Sequence, residues 1–339
     1  MAQFSSPFDA IYKNEQTIEY FKRAIASGNL LHAHIIEGVE GSGKHTLVNA
    51  IAKALSPEFA EKIENNNEPD IITVGLEGDK KTIGVDSIRA LKQRSSLTPN
   101  ELDYLMFIIE DADTMTNSAQ NSFLKLLEEP PSNVYMFLLC RSQNSLLPTV
   151  ISRAPVIRMQ LLSEEEITDY LINNDKKAAE LYNTDRESFD FSVRTAAGSI
   201  GHAKKRMSSR SKSSGVSGAY RTVLDIISAL AKNKKADYYT QTVNLPQKRD
   251  ELVVIFTCFE EALRDLLLVK SFSEGEKLPA LIFFGNENDA RELASSFTIS
   301  AIHKMISTMN LNHEILDKNA NLRLLLSVLA NELWVAAQI

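Results

Sequence analysis

The chain has 339 residues, room for two or three domains, and 44% of them are hydrophobic, enough for each domain to bury a core. Thirteen glycines and ten prolines are too few for a disordered or all-β chain. A net charge of −7 makes the whole chain a poor non-specific DNA binder, because phosphates are neutralised by clustered Lys and Arg; any work on DNA must rest on a local patch or a partner chain.

No run of 18 apolar residues occurs, so no membrane span is expected, and the N-terminus lacks a basic and an apolar signal region, so a cytoplasmic location is expected. Two cysteines, Cys140 and Cys258, sit in apolar runs and read as buried free thiols, with a disulfide the less favoured alternative. Two Cys and six scattered His predict no structural zinc.

In chain order, Ile18, Phe21 and Ile25 mark a helix face, and His34-Ile35-Ile36 a short strand ending at Gly38. Leu47, Ala50, Ile51 and Ala54 stripe the next helix. A strand over 71–74 and a helix through Val85, Ile88 and Leu91 follow, then a strand over 104–109. A helix over 116–129 is stopped by Pro130-Pro131 and leads to strands over 134–140 and 155–159. Alternating β and α with near-continuous apolar strands predicts an α/β domain: a parallel sheet flanked by helices. From Ser163 the pattern is helical, opened by a Ser163/Glu166 capping box. The Ser-, Lys- and Gly-rich stretch 208–218 reads as a flexible linker, and four helical stripes follow, in Val223–Leu230, 252–268, 299–309 and 322–335.

Gly38-Val39-Glu40-Gly41-Ser42-Gly43-Lys44 fits G-x-x-x-x-G-K between a strand and an amphipathic helix, the setting of a phosphate loop. Its glycines let backbone N–H groups turn toward phosphate oxygens at a helix N-terminus, with Lys44 reaching the β and γ phosphates. Gly38, Gly41, Ser42, Gly43, Lys44 and Thr46 are therefore candidate nucleotide-binding residues. The next position should carry a Mg²⁺-binding hydroxyl, but it is His45; Thr46 comes one residue, about 100° of helix, too late. The run 104–109 ends in Glu110-Asp111, a Walker B-like pair. ATPases of this kind usually place Asp first, on Mg²⁺, and Glu second, on water. With the order reversed, the shorter carboxylate falls about 1 Å short of the water, an error that can cost ~10²-fold. Two solvated acids at a strand end are the blander alternative.

These motifs, with Gly84-Val85-Asp86-Ser87-Ile88-Arg89, the stretch from Asn117 through Leu126-Leu127-Glu128-Glu129-Pro130-Pro131, and Leu147-Pro148-Thr149-Val150-Ile151-Ser152-Arg153, resemble the bacterial DNA polymerase III clamp-loader subunits of the P-loop AAA+ family. The likeness is strong over about 15–205 and only architectural beyond, although Asn319-Ala320-Asn321-Leu322-Arg323-Leu324 looks like the family's final helix. It implies an AAA+ sheet domain over 1–161, a helical lid over 162–207, the linker 208–218 and an all-α oligomerisation collar over 219–339.

Four departures favour the δ′ type over the γ/τ motor: His45, the Glu110-Asp111 order, Cys140-Arg141-Ser142 where sensor 1 has Thr, and Gly201 where sensor 2 has Arg. Ala154 replaces a family Cys after Arg153, and the four-Cys zinc module is missing from 55–69. The resemblance implies a stator within the DNA polymerase holoenzyme, binding ATP or ADP weakly and not hydrolysing it. Its expected partners are the motor subunits γ/τ and δ in a hetero-pentamer, the sliding clamp, and primer–template DNA through the complex. Arg153 is expected to be an arginine finger acting on the neighbouring motor's ATP. The alternative is an active γ/τ-like motor ATPase.

Overall fold

The computed structural model describes residues 6–76, 78, 80–207, 216–273, 276, 278–317 and 321–339. They form two compact units, Met1–Ser163 with Gly198–His202, and Glu164–Ala197 with Ala203–Ile339.

The first unit holds α1 (Glu15–Ala26), β1 (Ala33–Glu37), α2 (Lys44–Leu55), α3 (Ala60–Glu64), β2 (Ile71–Val74), α4 (Val85–Ser95), β3 (Leu105–Ile109), α5 (Asn117–Glu128), β4 (Val134–Cys140), α6 (Pro148–Ile151) and β5 (Val156–Arg158). The strands make one parallel sheet in the order β2-β3-β4-β1-β5. Parallel neighbours need crossovers, and the helices supply them, covering both faces as the apolar strands require. Side-chain alternation divides β3 between two cores: Leu105, Phe107 and Ile109 pack with Ile88, Leu91, Phe123 and Leu127, whereas Met106 and Ile108 pack with Phe21, Leu47, Val48 and Ile51. This is the parallel sheet flanked by helices that the alternating pattern predicts. Thr116 caps α5, its side chain accepting from the Ala119 N–H, and α5 ends at Glu128, ahead of the two prolines.

One core polar group fixes a pH response. His34 of β1 is fully buried, stacked on Phe137 with ring centroids 5.5 Å apart, and its Nε2 is 3.1 Å from the Tyr20 hydroxyl. Burial, with His32 adding to it, pushes its pKa down to about 4. From about pH 6.5 down to 4 the unfolded chain therefore takes up a proton that the folded chain refuses. Folding stability is expected to fall with acidification across that window, by up to about 1.4 kcal/mol per pH unit. Denaturation midpoints at pH 7 and pH 5 should differ less for His34→Phe than for the wild type. Equal losses in the two proteins would overturn the assignment.

The second unit is all helical: α7 (Glu164–Asn174), α8 (Lys176–Thr184), α9 (Arg186–Arg194), most of α10 (Ile200–Met207), α11 (Val216–Ala231), α12 (Lys235–Val243), α13 (Arg249–Ser271), α14 (Glu287–Ser295), α15 (Ile299–Asp317) and α16 (Leu322–Ala337). Most of the expected linker, 208–215, lies outside the described residues, and α11 already begins at Val216. Asn319 and Ala320 of the final-helix motif lie outside them too. Phe256, Leu263, Leu266, Leu326 and Leu329 are among the buried residues of its core. On α16 the opposite face leaves Leu324, Val328 and Val335 exposed, spaced as one helical stripe.

Candidate functional site

The C-terminal ends of β1, β3 and β4 bring the sequence motifs together. The loop after β1 starts with the Gly38 N–H donating to the Cys140 carbonyl of β4 at 3.0 Å. Gly41 (φ 69°) and Gly43 (φ 92°) occupy the left-handed region, which favours glycine, and α2 then begins at Lys44 without a side-chain cap. Gly38 is required for a different reason: a Cβ there would meet the Ser42 Oγ at 2.6 Å and the Met159 Cβ at 2.9 Å. Gly41, Gly43, Lys44, Thr46, Glu110 and Asp111 line one cavity of about 400 Å³, with Glu40, His45, Leu139, Arg141 and Gly201. Ser42 does not line it; its Oγ is buried, with no hydrogen-bond partner among the described residues.

Lys44 donates to the carbonyls of Gly38 at 2.5 Å and Val39 at 2.9 Å. Burial lowers its pKa, against the attraction of Cys140, Asp111 and Asp113. The loop thus keeps the parts that suit phosphate: left-handed glycines, an uncapped helix N-terminus and a lysine within the loop.

The metal half of the site does not fit Mg²⁺. His45 stands where the hydroxyl belongs, and its Nδ1 lies 2.6 Å from the Glu110 Oε1. That hydrogen bond lowers the Glu110 pKa and outweighs the opposing effect of burial. The imidazole and the carboxylate therefore satisfy each other where a metal would need both a hydroxyl and a free carboxylate. Asp111 follows with φ 46° and opens the short 3₁₀ turn Ala112–Thr114. Among the described residues no three His, Cys, Asp or Glu side chains are grouped to hold a metal ion.

Residues 198–202, where the resemblance expects sensor 2, lie directly on the loop. The Gly201 N–H donates to the Gly41 carbonyl at 3.1 Å, and a Cβ at Gly201 would meet the Gly41 Cα and O at 2.7 Å. No arginine fits there without moving the backbone. The Ser199 hydroxyl donates to the Glu40 carbonyl at 2.8 Å. The Glu40 carboxylate lies 3.6 Å from the Arg141 guanidinium and 3.5 Å from the His202 Nε2. Sequence reasoning gave no role to Glu40, Ser199 and His202; the available signals were an acid inside a G-x-x-x-x-G-K loop and the neighbourhood of Gly201.

Cys140 and Cys258 are free and buried, and burial pushes each thiol up to about 12.

Arg153 is not part of this cavity. It follows α6, donates to the Thr149 carbonyl at 2.8 Å and pairs with the Glu128 Oε1 at 2.7 Å, with 35% of its side chain exposed. Glu128 is the last residue of α5, within the Leu-Leu-Glu-Glu-Pro-Pro stretch.

Residues 13–163 match the family model described as "DNA polymerase III, delta subunit". The chain is 34% identical over 163 residues to DNA polymerase III subunit delta′ of Bacillus subtilis (strain 168), covering 45% of this chain and 49% of that protein. It is 23% identical over 337 residues to subunit tau of the same organism, covering 91% and 58%. A solved gamma subunit-related protein from Thermotoga maritima superposes with a TM-score of 0.49 at 19% identity, covering 93% of this chain and 98% of that one. The chain spans about half the length of the curated relatives it matches.

Proposed function

We propose, from the match of residues 13–163 to the DNA polymerase III delta-subunit family model and the likeness to a delta′ subunit, that the chain is a δ′-like clamp-loader stator that does not hydrolyse ATP. The observation that carries this reading is the His45–Glu110 pair at 2.6 Å. A motor needs those two positions for a metal and for a carboxylate free to act with it; here each occupies the other. Gly201 against Gly41 adds to it, since the sensor arginine has no room.

As a stator in the cytoplasm, the chain would join γ/τ and δ subunits in a hetero-pentamer that places the sliding clamp on primer–template DNA. The exposed Leu324, Val328 and Val335 of α16 suit such an assembly, because an apolar stripe on a helix gains by being covered. Arg153 would act on the nucleotide of the adjacent motor. Its guanidinium is permanently charged and can grip a phosphate with two parallel hydrogen bonds.

The alternative, an active motor, draws support from the retained Gly38, Gly41, Gly43 and Lys44. Phosphate release by the full chain alone, at saturating ATP and Mg²⁺, separates the two. The stator reading expects no release above background. Release at the rate of an authentic γ/τ subunit would sink it.

A further inference from the structure

A phosphate loop collects positive charge, yet this one carries a carboxylate at its tip. Glu40 lines the same cavity as Lys44 and Arg141. Its carboxylate lies 3.6 Å from Arg141, just past the end of β4, and 3.5 Å from the His202 Nε2, in the first turn of α10. Among the described residues the buried His202 Nδ1 has no hydrogen-bond partner, so the ring proton belongs on Nε2, facing Glu40. The backbone is held as well: Ser199 donates to the Glu40 carbonyl at 2.8 Å and the Gly201 N–H to the Gly41 carbonyl at 3.1 Å. Four groups from two distant parts of the chain thus converge on two consecutive loop residues. Two of them, Arg141 and His202, are of the kind that recognises a phosphate oxygen.

We propose that Glu40 is a built-in anion that takes the place of a phosphate between Arg141 and His202, so that the loop is held closed by its own side chain and a nucleoside triphosphate must expel that carboxylate to bind. This deepens the stator reading and rests on it. The earlier observations explain why the site would not turn ATP over; Glu40 explains why it would bind ATP weakly although the glycines and Lys44 are all present. The geometry also explains the pairing of residues: Gly201 lets the backbone come close enough for His202 to reach Glu40, since a Cβ at 201 would lie 2.7 Å from Gly41.

Removing the charge without removing the side chain isolates the effect. In calorimetric titration of ATP into the full chain, without Mg²⁺, Glu40→Gln should bind roughly tenfold more tightly than the wild type, because a carboxylate facing the incoming polyphosphate is gone and Arg141 is released to it. Glu40→Asp keeps the charge and should stay near the wild type. Adding Arg141→Gln to Glu40→Gln should return the affinity toward the wild-type value. Unfolding midpoints of all the variants check that each is folded. Unchanged or weaker ATP binding by folded Glu40→Gln would overturn the inference and leave the stator reading standing. Phosphate release by the wild-type chain would defeat the stator reading, whatever the titration of Glu40→Gln returned.

Discussion

Arg153→Ala in a reconstituted loader is expected to depress DNA-stimulated ATP hydrolysis and clamp loading while leaving the chain folded and the complex assembled. An arginine finger supplied in trans is worth on the order of 10³ to 10⁵ in rate at the site it serves. Sites that do not face this chain keep working, so the loss in total turnover would be smaller than the loss at that one site. The local geometry allows the role. Arg153 is tied by an ion pair with Glu128, a hydrogen bond to the Thr149 carbonyl and one to the Ser152 hydroxyl of the residue before it, and its side chain is about one third exposed. A pair at such a surface is worth no more than about 1 kcal/mol. A neighbour's phosphate can therefore take the guanidinium from Glu128 at little cost, and alanine at 153 should lower folding stability by no more than that. Arg153→Lys keeps the charge but not the planar fork, and should recover only part of the activity. A loader carrying Arg153→Ala that hydrolyses and loads normally would remove the finger from the account.

Asp70→Ala is expected to cause the largest loss of stability in the sheet unit, roughly 3–5 kcal/mol. The Asp70 side chain is completely buried at the start of β2. It accepts from the backbone N–H groups of Asn100, Glu101 and Leu102 at 2.7 to 3.0 Å, and from the Arg94 guanidinium at 2.8 Å. Burial works to raise its pKa, but these donors outweigh it and hold the carboxyl below its ordinary range. Alanine leaves Arg94 without its buried counter-charge and three N–H groups without acceptors. The loop so released feeds directly into β3, whose far end carries Glu110, so the candidate site should loosen with it. The urea midpoint of Asp70→Ala against wild type reads the loss. A change below about 1 kcal/mol would show that water replaces the carboxylate freely.

The parts of this molecule that depend on near neighbours in sequence were legible there. The phosphate loop needs a glycine-rich run after a strand and before an amphipathic helix, and all three lie within 33–55. The sheet was readable because buried parallel strands are continuously apolar, and only their ends moved: the run 104–109 begins as a strand at Leu105, and 155–159 shortens to Val156–Arg158. Contacts between distant residues were not legible. His45 and Glu110 are 65 positions apart, and sequence offered only two separate oddities, a missing hydroxyl and an inverted acid pair, which the fold turns into one hydrogen bond. Asp70 looked like any polar residue before a strand, because its partners come from 94–102 and none of them carries a motif. Glu40 and Ser199 are 159 positions apart, and although the resemblance pointed to Gly201 through an arginine it lacks, nothing in the sequence said that Ser199 and His202 would meet Glu40.

The stator account makes one asymmetric demand on this chain: its own lysine should be nearly dispensable, and its arginine should not be. Steady-state clamp loading by complexes reconstituted with Lys44→Ala or with Arg153→Ala in this subunit alone measures that asymmetry directly. The account predicts near-normal loading with Lys44→Ala and a marked loss with Arg153→Ala. A loader crippled by Lys44→Ala and indifferent to Arg153→Ala would contradict it and identify the chain as a motor.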